Sequence, residues 1–221
     1  MRTIALLARK GGAGKTTLAA HMAFAAHLRG QRVMLADADP QRSATEVMKA
    51  RSDHGGPQVM QTSGPKLFAL KVAAQRAGVE TLVIDTPSGA EQDIGHAMVL
   101  ADLSVVVVRP TFLDIAAAVQ TTDMLRRLNR QSLIILSQSP PTRAGAEHAA
   151  VEKARQALRF TRMPVADEVI QSRYAYQTAL SMGRSVEELW PNSPAAEEID
   201  ALWGCVANLA FAPERSLRAY R

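Results

Sequence analysis

"RKGGAGKTT", residues 9–17, sits between an apolar run, "TIALLA" (3–8), and a helical stretch, "KTTLAAHMAFAAHLR" (15–29). A glycine-rich turn that leaves a strand and opens a helix aims successive backbone N–H groups at one point, and the helix terminus adds partial positive charge. Together they cradle phosphate. The common spacing G-x-x-x-x-G-K-[ST] would put a glycine at position 9, where this chain has Arg9, followed by Lys10. In this reading Gly11, Gly12, Ala13 and Gly14 form the loop, Lys15 neutralises the β- and γ-phosphates, Thr16 offers its hydroxyl to Mg²⁺ and Thr17 supports the phosphates. Lys10 is then a second lysine where one normally serves.

The remainder of the chain supplies the context that such a loop needs. Short aliphatic runs recur at "RVMLAD" (32–37), "TLVID" (81–85), "LSVVVVR" (103–109), "LIILS" (133–137) and, more weakly, "RMPVA" (162–166). They are nearly continuous rather than alternating, as strands covered on both faces must be. Helical patterns fall between them, near 15–29, 43–52, 65–77, 90–100, 114–128 and 145–159. The class is therefore α/β, a mainly parallel twisted sheet with right-handed crossovers and helices on both faces. From about 173 to 212 only helices are expected, near 173–182, 185–190 and 194–211, with Ser193-Pro194 opening the last. "SDHGGPQ" (52–58) reads as a flexible loop. The 221 residues form one domain with this helical C-terminal region.

A carboxylate must complete a magnesium site, and two strand ends offer one. Asp85 closes "TLVID", and "LADADPQ" places Asp37 and Asp39 two residues apart, on one side of an extended chain. Asp39-Pro40 also suits an ordinary turn. After the fifth strand, "ILSQSPPTR" puts Ser137 and Gln138 in reach of a base, with Pro110 beside it; Gln138 reads equally as a polar loop residue.

Composition narrows the field. Hydrophobic residues make up 47% and charged residues 21% of the chain, the balance of a globular domain. No run approaches the roughly 18 apolar residues of a membrane span, and the N-terminus lacks the features of a signal peptide, so a cytoplasmic location is expected. One cysteine, Cys205, excludes an internal disulfide and any paired-cysteine metal or cluster site, and the five histidines show no metal-ligand spacing. Net charge is +5, yet residues 126–162 alone carry eight basic side chains against two acidic ones. Such a cluster reads either as a solvating face or as a polyanion contact.

"KGGAGKTT" resembles the deviant Walker A motif KGGxGK[ST] of the ParA/MinD ATPases, "DADPQ" resembles their second acidic motif, and "DTPSG" their Walker B and switch region. "RPTFLDIAAAV" (109–119) is similar to their P-x-x-x-D segment beside the nucleotide, and "IQSRYAYQTALSMGRSVEE" to their C-terminal R-x-x-Y…G-x-S-V stretch. The resemblance implies a slow, Mg²⁺-dependent ATPase that alternates between ATP and ADP states. It also implies that two ATP-bound subunits face each other, with Lys10 reaching the partner's phosphates, Asp39 positioning the hydrolytic water and Asp37 in the metal shell.

Within that family, the tail "APERSLRAYR" lacks the apolar face of a MinD-like membrane helix, and the lone cysteine argues against cluster carriers. A metabolic ligase-like or cellulose-synthesis-associated relative is the alternative. No helix-turn-helix precedes the first strand, which points to the short ParA class. That class implies a nucleoid-associated homodimer that binds DNA without sequence preference and works with a ParB-like or ribbon-helix-helix adaptor for a plasmid, chromosomal or other cargo. The candidate DNA contacts are Arg155, Arg159, Arg162 and, by the resemblance, Arg173.

Overall fold

The computed structural model describes residues 1–52, 55–89, 91–142 and 147–211. Arg143 of the basic segment, His54 and the tail 212–221 on which the membrane argument was made lie outside the described residues.

Seven strands form one all-parallel sheet in the order β3-β2-β4-β1-β5-β6-β7. They are β1 (Arg2–Leu7), β2 (Val33–Asp37), β3 (Gln58–Gln61), β4 (Thr81–Asp85), β5 (Leu103–Val108), β6 (Ser132–Ser139) and β7 (Val165–Gln171). The helices are α1 (Lys15–Leu28), α2 (Ser43–Lys49), α3 (Leu67–Arg76), α4 (Glu91–Leu100), α5 (Phe112–Arg127), α6 (Ala149–Leu158), α7 (Tyr174–Ser181), α8 (Val186–Leu189) and α9 (Pro194–Ala210).

Successive side chains of β1 divide between two cores, because a strand presents alternate residues to opposite faces. Ile4 and Leu6 join α1 and the C-terminal helices, through Phe24, Tyr176 and Trp203. Ala5 and Leu7 join α3 to α6, through Leu67, Met98, Leu125 and Leu158. Every residue of α1 from Leu18 to Ala26 is buried. This helix is enclosed by sheet and C-terminal helices together, and its many alanines allow that close approach.

The expected class holds, with differences at the sheet margins. β3 falls at the end of the stretch read as a loop. Among the described residues it is an edge strand paired with β2 alone, and its residues are mostly exposed, so "QVMQ" carries an apolar signal of just two residues. β7 begins three residues later than expected and runs through "VADEVIQ", again half exposed at an edge. α5 begins two residues earlier than expected, where Thr111 caps it by accepting a hydrogen bond from the Asp114 N–H. The chain passes from β1 to β2 on one side and from β4 to β5 on the other. The strand order thus reverses beside β1, and the crevice outside the carboxyl ends of β1 and β4 is where such sheets bind ligands.

Candidate functional site

The loop between β1 and α1 is held by its glycines and by a distant strand. Gly12 and Gly14 take left-handed conformations, with φ of 75° and 93°, which cost a residue with a Cβ but not glycine. A Cβ on Gly14 would also meet the Ser137 hydroxyl at 3.0 Å. The Gln138 side-chain amide donates to the Gly12 carbonyl at 2.7 Å, fastening the end of β6 onto the loop.

A cavity of about 670 Å³ opens over this loop; Gly11, Lys15, Thr16, Asp39, Ser88 and Gln177 are among its walls. Lys15 is only 5% exposed and donates to the Ser88 hydroxyl at 2.6 Å. Burial lowers its pKa, while the carboxylates of Asp85 and Asp39 pull it back up. The ammonium is thus aimed and partly desolvated before any anion arrives.

Asp37 and Asp85 lie directly opposite each other in the β2–β4 register, both fully buried. Thr45 donates its backbone N–H and its hydroxyl to Asp37 Oδ2, at 2.9 and 2.7 Å. Among the described residues, Asp37 Oδ1 and both oxygens of Asp85 meet no donor at full hydrogen-bond geometry, the Thr16 hydroxyl being the donor placed nearest to Asp85. Burial pushes the Asp85 carboxyl up to about 7, against the opposing pull of the Thr16 hydroxyl and the Lys15 ammonium. Orphaned, buried carboxylate oxygens carry a penalty that a cation relieves.

The donor set is all hard oxygen: two carboxylates in register and the Thr16 hydroxyl. It suits Mg²⁺, which takes one or two carboxylates and keeps phosphate and water ligands rather than filling an all-protein cage. Asp39 stands at the cavity wall, and its Oδ1 accepts from the Gln41 N–H at 2.9 Å. The turn at Asp39-Pro40 and a place beside the phosphates therefore coexist.

A second hollow of about 380 Å³ adjoins the first, sharing Gly14, Thr17, Gln138 and Gln177 and continuing to Ser137, Arg173 and Tyr174. Pro110 lines neither space. The P-x-x-x-D aspartate, Asp114, is instead paired with Arg109 at 2.9 Å and bonded by the Thr111 hydroxyl at 2.7 Å. Lys10 stands apart from the large cavity, half-buried beside Asp114 and Thr121 of α5.

The four arginines proposed from the sequence for DNA differ in what their side chains meet. Arg155 clamps α6 to β7 through the carbonyls of Ala166 and Asp167, both at 2.6 Å. Arg173, at the carboxyl end of β7, pairs with Glu198 at 2.7 Å. Arg159 and Arg162 are exposed at the other end of that strand. Sequence reasoning missed Ser88, Thr45, Gln177 and Tyr174. "DTPSG" and the capping-type "SAT" were the available hints for the first two; nothing local marks the others.

A model of the family described as the CobQ/CobB/MinD/ParA nucleotide binding domain matches residues 4–208. The maintenance of carboxysome distribution protein A of Gloeobacter kilaueensis is 31% identical over 214 residues, covering 91% of this chain and 95% of that protein. The chromosome-partitioning ATPase Soj of Thermus thermophilus is 46% identical over 55 residues, 25% of this chain and 22% of Soj. Among solved structures, the septum site-determining protein MinD of Pyrococcus horikoshii, complexed with Mg-ADP, superimposes with a TM-score of 0.75 at 18% identity. That superposition covers 95% of this chain and 97% of MinD. Loop, paired carboxylates, sheet order and these likenesses agree: the chain belongs to the CobQ/CobB/MinD/ParA nucleotide-binding domain family.

Proposed function

We propose that the protein is a Mg²⁺-dependent ATPase that works as an ATP-bound pair on nonspecific DNA to position a cargo, and that hydrolysis resets it. One observation carries this reading. Lys10 lies next to the phosphate loop yet outside its own cavity, and no hydrogen bond or ion pair engages it among the described residues. Beside it the first turn of α5 exposes Phe112 and Leu113, at 82% and 59%. An apolar patch adjoining an unengaged lysine supports a facing subunit that covers the patch and receives the lysine.

In this reading Gly11 to Gly14 and Lys15 hold the polyphosphate, and Thr16, Asp37 and Asp85 hold the ion. An ion held by these groups would neutralise phosphate charge. Asp39 orients the attacking water from the cavity wall. Lys10 of each chain adds positive charge where negative charge is redistributed during transfer of the partner's γ-phosphoryl group. Adenine occupies the second hollow, between Gln138 and the Arg173–Tyr174 turn.

The carboxysome-distribution relative, similar over nearly its full length, favours an assembly as cargo over a plasmid, delivered through an adaptor protein. The test is molar mass and ATP turnover, measured with and without duplex DNA of arbitrary sequence at low salt. A dimer with Mg-ATP and faster turnover on DNA is expected. A chain that stays monomeric with Mg-ATP, even as Asp39→Ala, would overturn the reading.

A further inference from the structure

Four exposed arginines gather at the amino ends of β6 and β7, the pole of the sheet remote from the nucleotide cavity. Ile134 lies opposite Val165, the Ile134 N–H donates to the Pro164 carbonyl at 2.9 Å, and the Ser132 hydroxyl donates to Met163 Sδ at 3.1 Å. The segments that enter these strands, 126–131 and 159–164, therefore run side by side, and α5 packs on the 3-10 turn Arg159–Thr161.

The four are Arg127, Arg130, Arg159 and Arg162. Among the described residues none of their side chains forms an ion pair or hydrogen bond, whereas Arg126 pairs with Asp123 at 2.6 Å. A helix C-terminus favours basic side chains, which accounts for Arg127. That effect does not account for Phe160, which is 88% exposed although Leu158 and Thr161 close by are buried. The Thr161 hydroxyl donates to the Leu158 carbonyl at 2.6 Å, so the turn is fixed with the ring in water. Leu128, at the end of α5, is partly exposed as well. A ring in that position gains stabilisation only when something covers it.

The placement of the pole narrows what covers it. In the function proposed above, two chains meet at the face marked by Lys10, Phe112 and Leu113, beside the carboxyl ends of the strands. α5 leads from Phe112 to Arg127, a length of roughly 22 Å, and carries the chain away from that face. In a pair the two arginine poles therefore point in opposite directions, and no single duplex joins them. A nucleic-acid contact here would gain nothing from ATP. A cargo-side partner has the contrary requirement, a surface that stays open while the chains pair and while another face holds DNA. This pole meets it.

The chemistry of the patch points the same way. A sugar-phosphate backbone has no apolar group with which to cover Phe160, whereas a polypeptide supplies both parts. Carboxylates match guanidinium groups in bidentate pairs. An incoming aromatic ring packs on Phe160 and is drawn to the neighbouring guanidinium groups by cation–π attraction. Phe160 and Leu128 give too little apolar surface to enter a bilayer.

Resting on the function proposed above, we propose that this pole is the docking surface of the cargo adaptor, engaged through an acidic segment that carries an aromatic side chain. Opposite charge steers the encounter and the covered ring anchors it. Each chain holds one such surface, and a pair presents two at its far ends. Because the pole and the cavity lie at opposite ends of the strands, docking is equally strong with and without Mg-ATP.

The experiment measures anisotropy of two labelled polyanions, a random copolymer of Glu and Tyr and poly-Glu of the same length, titrated with the full chain with and without Mg-ATP. A labelled duplex of arbitrary sequence is titrated alongside. The copolymer carries less charge, yet wild type is expected to bind it about tenfold more tightly than poly-Glu. Phe160→Ala should abolish that preference and leave poly-Glu binding unchanged. Replacing both Arg159→Gln and Arg162→Gln should weaken both polymers about tenfold. Both variants should keep the wild-type thermal midpoint and basal ATP turnover. Equal wild-type affinity for the two polymers, or a preference that survives both sets of substitutions, overturns this surface and leaves the proposed function standing. Polymer binding that appears only with Mg-ATP places the site on the paired face and overturns it too. If the arginine replacements weaken duplex binding while the polymers bind as to wild type, the pole is a nucleic-acid contact and the inference fails. If the chain stays monomeric with Mg-ATP yet keeps the Phe160-dependent preference, the proposed function falls and the pole remains a surface for an acidic, aromatic segment.

Discussion

Acid should unfold this protein through His21, and the size of the effect can be worked out. The imidazole is fully buried on α1. Its Nδ1 lies 2.8 Å from the Thr17 carbonyl, so that nitrogen carries the hydrogen, and among the described residues Nε2 has no partner. The Tyr176 ring packs against it edge-on, with centroids 5.3 Å apart. Burial pushes the pKa down to about 4, only partly opposed by the Thr17 hydrogen bond and the Glu188 carboxylate. The unfolded chain therefore takes up a proton near pH 6.5 that the folded chain refuses until about pH 4. Stability is whole above 6.5 and is lost as pH falls through that window. At about 1.4 kcal/mol per pKa unit, His21 by itself contributes a loss of about 2 kcal/mol at pH 5 and about 3 kcal/mol below pH 4, opposed by the raised Asp85 carboxyl, whose contribution is common to the two proteins compared below. For a chain of this length 2 kcal/mol moves the thermal midpoint by roughly 4–8 °C. The assay compares midpoints at pH 7 and pH 5 for wild type and for His21→Asn, whose amide keeps a donor for the Thr17 carbonyl. The substitution's own cost is present at both pH values and cancels. An equal drop in the two proteins would show that His21 is not the acid-sensitive group.

Other expectations follow from the site. Lys15→Ala removes the ammonium held against Ser88 and should abolish nucleotide binding in calorimetry, whereas Asp39→Ala should bind ATP and form dimers but stall hydrolysis; equal loss of binding in both would show Asp39 to be misassigned. Lys10→Ala should leave nucleotide affinity of the monomer unchanged and impair ATP-dependent dimerisation or turnover, as read by light scattering and phosphate release. Gly183 is left-handed at φ 65°, and a Cβ there would lie 2.3 Å from the Arg51 backbone nitrogen. Gly183→Ala should therefore cost roughly 2–4 kcal/mol in chemical unfolding, and a variant as stable as wild type would refute that contact.

Much of the fold could be read along the chain because its central strands are covered on both faces and so are written as unbroken apolar runs: "TIALLA", "TLVID" and "LSVVVV" each became a strand within a residue or two. The edge strands escaped. "QVMQ" has one neighbour and an exposed surface, so burial puts no apolar demand on it, and β7 mixes buried and exposed positions.

The phosphate loop was legible for a local reason: its glycines, lysine and threonine act within nine consecutive residues. Sequence by itself therefore determined the loop, the surplus Lys10, the candidate carboxylates and the layered α/β class. Only the tertiary structure decided what those groups meet. The β2–β4 register brings Asp37 opposite Asp85, and Gln138 crosses 126 residues of chain to grip Gly12. One run of basic residues divides into Arg155 spent on carbonyls and Arg159 and Arg162 left to solvent. Charge and hydrogen-bonding capacity belong to a residue type, but whether they are consumed internally or left for a ligand depends on neighbours that only chain folding brings together.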